Sequence, residues 1–189
     1  MNARWLACVS SSVVLVVVGT GGWSAEHWRT FQSKGQHFSV RYPASWHRLG
    51  AGQFEDPDVL GIINFPNSER IKGVVIKAGG AEIQVTAAPL GVSTPAEWIG
   101  RDVLDDPIIR ERDVLVPKSV SDGCTALREV IWRNDVSGSG KAYQFNTGYY
   151  CSTAAGLYSV VLTTWEGDPK QGDLQSVALT MALSLRVCQ

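Results

Sequence analysis

An apolar stripe near the C-terminus is the feature that most constrains the fold of this chain. Its members recur at helical spacing and are Leu174, Val177, Ala178, Met181 and Leu185. One face of a helix in this region is therefore continuous and apolar, and we expect Asp173 to cap its N-terminus. Such a helix is stable only when its apolar face covers a second layer of structure. The rest of the chain must supply that layer.

Alternating apolar and polar residues indicate the strands of this layer. In the stretch FSVRYPASW, Phe38, Val40 and Tyr42 alternate with polar residues until Pro43 ends the pattern, and Trp46 is expected to fold back as a packing anchor. Residues 27–35 are expected to be a lead-in. Further strands are predicted at residues 59–65, 74–77, 81–87, 124–133, 142–151 and 157–165, with a hairpin turn at Gly79-Gly80.

A second helix is indicated by the sequence Thr94-Pro95-Ala96-Glu97. Thr94 can cap the free backbone amides, Pro95 suits the first helical position, and Glu97 can close a capping box. Asp105-Asp106-Pro107 is expected to end this helix. The order is β-rich, helix, β-rich, helix, which predicts an α+β layered domain.

The N-terminus has the pattern of an export signal. Arg4 gives a positive start, and residues 5–18 form an apolar run that is shorter than the roughly 20 residues of a membrane-spanning helix. Small residues at positions 22 and 24 favour cleavage after Ser24. We therefore predict a signal peptide at residues 1–24, a single domain at residues 25–189, a secreted or periplasmic location and no stable membrane span after cleavage. An uncleaved anchor and a lipoprotein modified at Cys8 are the alternatives.

Export makes disulfide bonds possible, and Cys124, Cys151 and Cys188 remain after the predicted cleavage. If residues 135–140 join a regular antiparallel hairpin, Cys124 lies directly opposite Cys151, close enough for a structural disulfide. Cys188 is then left over and is free, links two chains, or displaces one partner of the pair. Two further pairs belong to the same register, Trp132 with Tyr143 and Val130 with Phe145.

No motif in the sequence carries a recognisable reaction. Residues 137–141 read Ser-Gly-Ser-Gly-Lys, but Asp135 stands where a phosphate-binding loop needs glycine and Ala142 stands where it needs serine or threonine. His27, His37 and His47 lack the close spacing of metal ligands. We therefore predict no catalytic residues, no metal site and no cofactor.

The charge balance excludes one class of partner. The chain carries 17 basic and 18 acidic residues, a formal net charge of -1. This leaves no excess of positive charge to attract a polyanion, so nucleic acid is not an expected partner.

Tryptophans are the remaining candidates for a binding surface, because exposed aromatic residues often anchor partners. Most of the five that follow the predicted cleavage site are expected to pack in the core. Trp28, in the polar lead-in, and Trp46 are the possible binding aromatics.

Several short motifs together resemble the PsbP-like family. Gly35 to Trp46 is similar to that family's opening strand and Tyr-Pro-x-x-Trp turn. In chain order there follow an apolar strand region ending at Ala87-Ala88-Pro89, the helix start at Thr94, the aromatic strand 142–150 and the closing helix at residues 174–187. The resemblance covers nearly the whole predicted mature chain.

This resemblance implies an α/β/α sandwich with a central, mainly antiparallel sheet. It also implies a non-catalytic binding or assembly factor, because most family members are of that kind. The photosynthetic members attach to photosystem II, but this chain lacks a matching metal-binding histidine and an evident basic contact surface.

Three hypotheses for function follow. The first is an exported non-catalytic factor that binds an envelope protein or takes part in envelope assembly. The second is a carrier of a small apolar ligand or lipid, with a pocket between sheet and helix. The third is a hydrolase, for which no nucleophile motif is present.

Overall fold

The computed structural model of the protein describes residues 27–33, 35–49, 59–65, 80–104, 106–118, 123–135 and 143–188. The predicted signal peptide, the strand at 74–77 with its turn at Gly79, and residues 137–141 lie outside these ranges. The described strands are β1 (Trp28–Ser33), β2 (Phe38–Pro43), β3 (His47–Arg48), β4 (Leu60–Ile63), β5 (Glu82–Ala87), β6 (Ile108–Val114), β7 (Ala126–Asp135), β8 (Tyr143–Thr153), β9 (Gly156–Trp165) and β10 (Arg186–Val187). The described helices are α1 (Pro95–Val103) and α2 (Gln171–Leu183).

Two antiparallel sheets contain these strands. The larger sheet has seven strands in the order β3-β4-β5-β9-β8-β7-β6, and the smaller has three in the order β1-β2-β10. Consecutive strands β7, β8 and β9 pair in turn over their full lengths and form the centre of the larger sheet. Within the described residues, no helix is long and apolar enough to cross a membrane.

Strand β8 has both of its faces buried, because the larger sheet is covered on two sides. Neighbouring residues of a strand point to opposite faces, and Tyr149 and Tyr150 are both at least 98 % buried. The Tyr150 hydroxyl donates to Asp102 of α1 at 2.8 Å. The Tyr149 hydroxyl lies 3.4 Å from the Gln175 carbonyl oxygen of α2, so the two helices lie on opposite faces. The predicted α/β/α sandwich is confirmed.

A small apolar cluster holds α1 on one face of the sheet. The Trp98 ring meets the Tyr150 ring edge-on, with centroids 5.6 Å apart. Gly148 lies beneath the Trp132 and Tyr150 rings, and a Cβ there would come within 2.7 Å of Tyr150 and 3.0 Å of Trp132. The close fit of these rings therefore depends on the missing side chain at position 148.

The main core lies on the other face, between the larger sheet, α2 and the smaller sheet. Phe38 of β2 packs edge-on against Tyr158 of β9, with ring centroids 5.5 Å apart. The predicted helical stripe is buried here, with Met181 and Leu185 fully inaccessible. Trp46 belongs to the same cluster.

Both predicted helices are present, and one of them starts earlier than predicted. Thr94 and Glu97 form the capping box, in which the Thr94 hydroxyl accepts from the Glu97 amide at 3.2 Å. Helix α2 starts at Gln171, so Asp173 lies in its first turn and is not its cap. Asp168 instead accepts from the Lys170 amide at 2.8 Å and turns the chain into the helix.

Strands β1, β6 and the two-residue β10 were not predicted from the sequence. The expected lead-in contains β1, which pairs with β2 along its whole length. Its alternation is weak because it lies at an edge of the smaller sheet and leaves Arg29 and Thr30 exposed. Strand β6 forms an edge of the larger sheet and is charged at four consecutive positions, residues 110–113.

The Cys124–Cys151 disulfide is confirmed, but the register used to predict it is wrong. Cys151 lies opposite Leu127, Trp132 opposite Asn146, and Val130 opposite Gly148. The last pair before the turn is Asp135 with Tyr143, so the connection is longer than the predicted loop. Cys124 precedes β7 and a bend at Thr125, and its Cα is 5.5 Å from that of Cys151. Cys188 is buried and is not part of this disulfide.

Replacing both bridged cysteines by serine is expected to lower the free energy of unfolding by about 2–4 kcal/mol, because the open chain has more conformational entropy when unfolded. Urea unfolding of the wild type and of the variant Cys124→Ser/Cys151→Ser measures the difference. Cys188→Ala is the control for loss of a buried thiol. A non-reducing peptide map that links Cys188 to either partner would contradict the pairing.

The two buried tyrosines predict a loss of stability in alkali. Burial, followed by the nearby carboxylates of Glu129 and Asp102, raises the pKa of Tyr149 and of Tyr150 above the ordinary value of 10.0. Above that pH the unfolded chain releases these two protons and the folded chain keeps them. The free energy of unfolding therefore falls as pH rises above 10, by at most about 1.4 kcal/mol per pH unit for each tyrosine.

Denaturant unfolding at a series of pH values around and above 10 tests this expectation. Tyr149→Phe and Tyr150→Phe should each reduce the slope of stability against pH, since each removes one titrating group. Tyr143→Phe, on a half-buried tyrosine of the same strand, is the matched control. Equal slopes in all four proteins would show that the buried tyrosines are not responsible.

Candidate binding surface at the β6 edge

Strand β6 is the longer of the two edge strands of the larger sheet. Among the described strands it pairs only with β7, while β3 at the opposite edge has only two residues. Six of its seven residues are exposed. Its pairing with β7 is irregular between Ile108 and Arg110 and regular from Arg110 to Val114. Its outer edge therefore presents regular extended backbone to solvent.

On the α2 face, two arginines of β6 share one buried carboxylate of β7. Glu129 is only 2 % exposed. It lies 3.0 Å from the Arg110 guanidinium and 2.5 Å from that of Arg112. It also accepts a hydrogen bond from the Tyr149 hydroxyl at 3.2 Å. The bond to Glu129 and the charge of that carboxylate raise the pKa of Arg112.

On the α1 face, the charges are arranged the other way. Arg128 of β7 lies opposite Tyr150, which places it on this face. It donates to Glu111 and to Asp113 of β6, each at 3.1 Å. The Asp113 side chain is 81 % exposed.

These contacts leave an alternating residual charge along the edge. Two arginines against one carboxylate leave one positive charge in excess on the α2 face. Two carboxylates against one arginine leave one negative charge in excess on the α1 face. The balance covers the charged groups that these described ion pairs contain.

A groove of about 710 Å³ lies beside the C-terminal end of β6. Its walls come from the start of α1, the chain that follows β6, and the beginning of β7, and include Pro95, Leu115, Val116 and Ala126. Asp113 and Arg128 also line it. This groove therefore offers apolar contacts next to the acidic side of the edge.

A smaller groove of about 410 Å³ lies on the α2 face, beside the N-terminal end of β6. Ile109, Ile131 and Phe145 provide its apolar lining, and Arg110 and Gln175 provide polar groups. The edge of β6 thus has one groove on each face, at opposite ends of the strand.

The large apolar side chains that the described chain exposes all lie within residues 90–115. This segment runs from the end of β5 through α1 to the end of β6. Its exposed members are Leu90, Leu104, Ile108, Ile109 and Leu115, and Leu115 is 90 % exposed. Leu115 lines the larger groove, and Ile109 lines the smaller one.

The residues proposed from the sequence lie elsewhere. Trp46 is 7 % exposed in the main core, and Trp28 is half-buried with the Arg41 guanidinium 5.9 Å from its ring. Their part in binding stays a prediction. His27, His37 and His47 are exposed at separate places, and within the described ranges no group of potential ligands could hold a metal ion.

Asp102 and Tyr150 form the other titratable pair of the α1 face. Burial raises the pKa of Asp102, against the opposing effect of its hydrogen bonds with Tyr150 and Trp98. The hydroxyl of a tyrosine with a raised pKa remains protonated and donates to Asp102. This pair joins α1 to the sheet, which is a structural role.

Sequence reasoning missed the β6 surface because it looked for one apolar face. An edge strand exposed on both sides shows no such alternation. Two signals were available in Ile-Ile-Arg-Glu-Arg-Asp-Val: a β-branched start and charges that alternate in sign. Alternation of sign at the strand period places like charges on the same face.

Comparisons with known proteins identify the fold. No protein family matches the chain, and no curated protein sequence matches it. PsbP (CyanoP) from the cyanobacterium Synechocystis is 13% identical, and the match covers 90% of this chain and 98% of that chain with a TM-score of 0.50.

Two further structures are similar to the chain. The Ran-binding protein Mog1p of Saccharomyces cerevisiae is 11% identical over 86% of this chain and 96% of that chain, with a TM-score of 0.49. LpqN, involved in cell envelope biogenesis of Mycobacterium tuberculosis, is 9% identical over 88% of this chain and 93% of that chain, with a TM-score of 0.41. From the architecture described above and its match to the cyanobacterial protein, the chain has the PsbP-like fold.

Proposed function

We propose that this chain is an exported, non-catalytic factor that binds an envelope protein through the surface around β6. The observation that carries the proposal is that two exposed large apolar side chains, Ile109 and Leu115, each line a groove at one end of β6. Exposed apolar side chains in a groove are typical of an interaction site, whereas singly scattered ones are normal on protein surfaces.

The two grooves and the strand edge support this role. Grooves with apolar walls accept side chains of a partner, and an edge strand offers backbone hydrogen bonds. The charges of β6 add specificity, because they favour a partner of complementary pattern.

Export is supported by two independent features. The signal pattern at residues 1–24 predicts translocation, and the Cys124–Cys151 disulfide suits an oxidising compartment. The protein is accordingly proposed to act as a secreted or periplasmic single domain.

A carrier of a small apolar ligand is the second candidate. It would need a pocket that encloses most of the ligand's surface. The two grooves described above open along the surface. Trp98 and Trp132 are both buried in the apolar cluster that holds α1 on the sheet. A lipid retained by the purified protein in native mass spectrometry, together with no protein partner, would favour the carrier.

Replacing the apolar groove residues by aspartate is expected to abolish partner capture. The double variant Ile109→Asp/Leu115→Asp should reduce recovery of a specific partner from envelope extract at least about tenfold, because each change places a charge where apolar contact is required. Quantitative mass spectrometry of cross-linked pull-downs measures the recovery.

Leu90→Asp is the matched control, because Leu90 is fully exposed and lines neither groove. Proteins captured by the wild type and by the control, but lost with the double variant, identify the partner. Unchanged capture by the double variant would contradict the proposed surface.

A further inference from the structure

We infer that β6 binds its partner by accepting an additional β-strand, which carries acidic residues on the α2 face and basic residues on the α1 face. This inference rests on the proposed function and specifies the partner's chemistry. The occupant is a segment of another protein, recognised by its extended backbone and by the alternating sign of its charges.

The backbone of β6 can form hydrogen bonds with an added strand. A strand has two edges, and within the described chain only the edge towards β7 is paired. The regular stretch from Arg110 to Val114 therefore leaves its outward amide and carbonyl groups available for a new strand. Strand addition of this kind gains affinity from main-chain hydrogen bonds and specificity from alternate side chains.

The residual charges of β6 determine which charged side chains of the added strand can pair with it. Directly opposite residues of neighbouring strands lie on the same face and interact. Within the described ion pairs of the α2 face, Arg110 and Arg112 leave one positive charge in excess beside Glu129, which an acidic residue of the new strand can pair. Within those of the α1 face, Glu111 and Asp113 leave one negative charge in excess, which a basic residue can pair.

The two grooves determine where apolar residues of the new strand should lie. The α2-face groove begins at Ile109, near the N-terminal end of β6. The α1-face groove begins at Asp113 and Leu115, near the C-terminal end. Apolar residues at the two ends of the added strand, with the charges between them, therefore fit the surface.

A second copy of this chain does not fit the same edge. Two β6 strands related by a two-fold axis perpendicular to the sheet pair antiparallel and keep their faces on the same sides. Arginines of the two copies would then face each other on the α2 face. On the α1 face, the carboxylates of Glu111 and Asp113 would face the same carboxylates of the second copy. Like charges directly opposite each other destabilise a strand pair, so the edge selects a different sequence.

Two synthetic peptides of equal composition test the charge pattern. The alternating peptide, Val-Glu-Lys-Glu-Lys-Glu-Lys-Val, has one sign on each face. The grouped peptide, Val-Glu-Glu-Lys-Lys-Glu-Lys-Val, has both signs on each face in every register. The alternating peptide should bind about threefold to tenfold more tightly in fluorescence anisotropy, as two or three cross-strand charge pairs predict.

Substitutions in the full chain test which residues read the pattern. Asp113→Lys reverses the excess charge on the α1 face and should remove the preference for the alternating peptide. Asp173→Lys makes the same change in net charge at an exposed site of α2 and should leave the preference intact. Equal affinity of the wild type for the two peptides would overturn the inference.

The use of the backbone edge has its own test. Alternating peptides methylated at every second backbone nitrogen lose hydrogen bonds along one edge only. One of the two methylation patterns should abolish binding, and the other should reduce it little. If both patterns bind like the unmethylated peptide, strand addition is wrong.

These outcomes separate the inference from the proposed function. If partner capture still depends on Ile109 and Leu115 but the peptides are not distinguished, the binding surface stands and strand addition fails. If capture does not depend on those residues, the proposed surface fails. A wild-type dimer in sedimentation analysis that excess alternating peptide dissociates would show self-pairing at this edge and would overturn the choice of partner.

Discussion

Burial of β8 on both faces is the constraint on which the rest of the structure depends. Residues 146–151 are all buried, although the sheet is antiparallel and such sheets often leave one face to water. Tyr149 and Tyr150 reach opposite layers from adjacent positions, so each helix is positioned against the same strand. Placing α1 and α2 on opposite faces leaves the β6 side of the sheet accessible from both.

The buried carboxylate of Glu129 explains how so polar a strand can belong to the sheet. Arg110 and Arg112 supply its counter-charges from the solvent side, and Tyr149 supplies a hydrogen bond from the core side. A buried charge without such partners would be costly. Strand β6 is therefore joined to the sheet by ion pairs as well as by its backbone, and its own apolar residues remain free for other contacts.

Sequence reasoning predicted the parts of the fold that depend on local patterns. The capping box at Thr94, the first strand at Phe38 and the helical stripe at Leu174 all follow from spacing within a few residues. The register of the β7–β8 hairpin could not be predicted in this way, because it depends on the length of the connection, which local patterns do not determine. The cysteine pair was predicted despite this error, since a bend outside the strand brings Cys124 close to its partner. The binding surface was not predictable by apolar periodicity, because an edge strand buries neither face.

The short strand β10 has a consequence for how the molecule folds. Arg186 and Val187 pair with Ser39 and Phe38, so β2 has β1 as one neighbour and a strand that follows α2 as the other. Gly123 approaches the same tail so closely that an added Cβ would collide with the Leu185 carbonyl oxygen. Contacts of such large sequence separation form late and slowly, because the intervening chain must first be ordered. A partly synthesised chain therefore cannot complete the smaller sheet, and the native state becomes reachable only after β10 has left the ribosome.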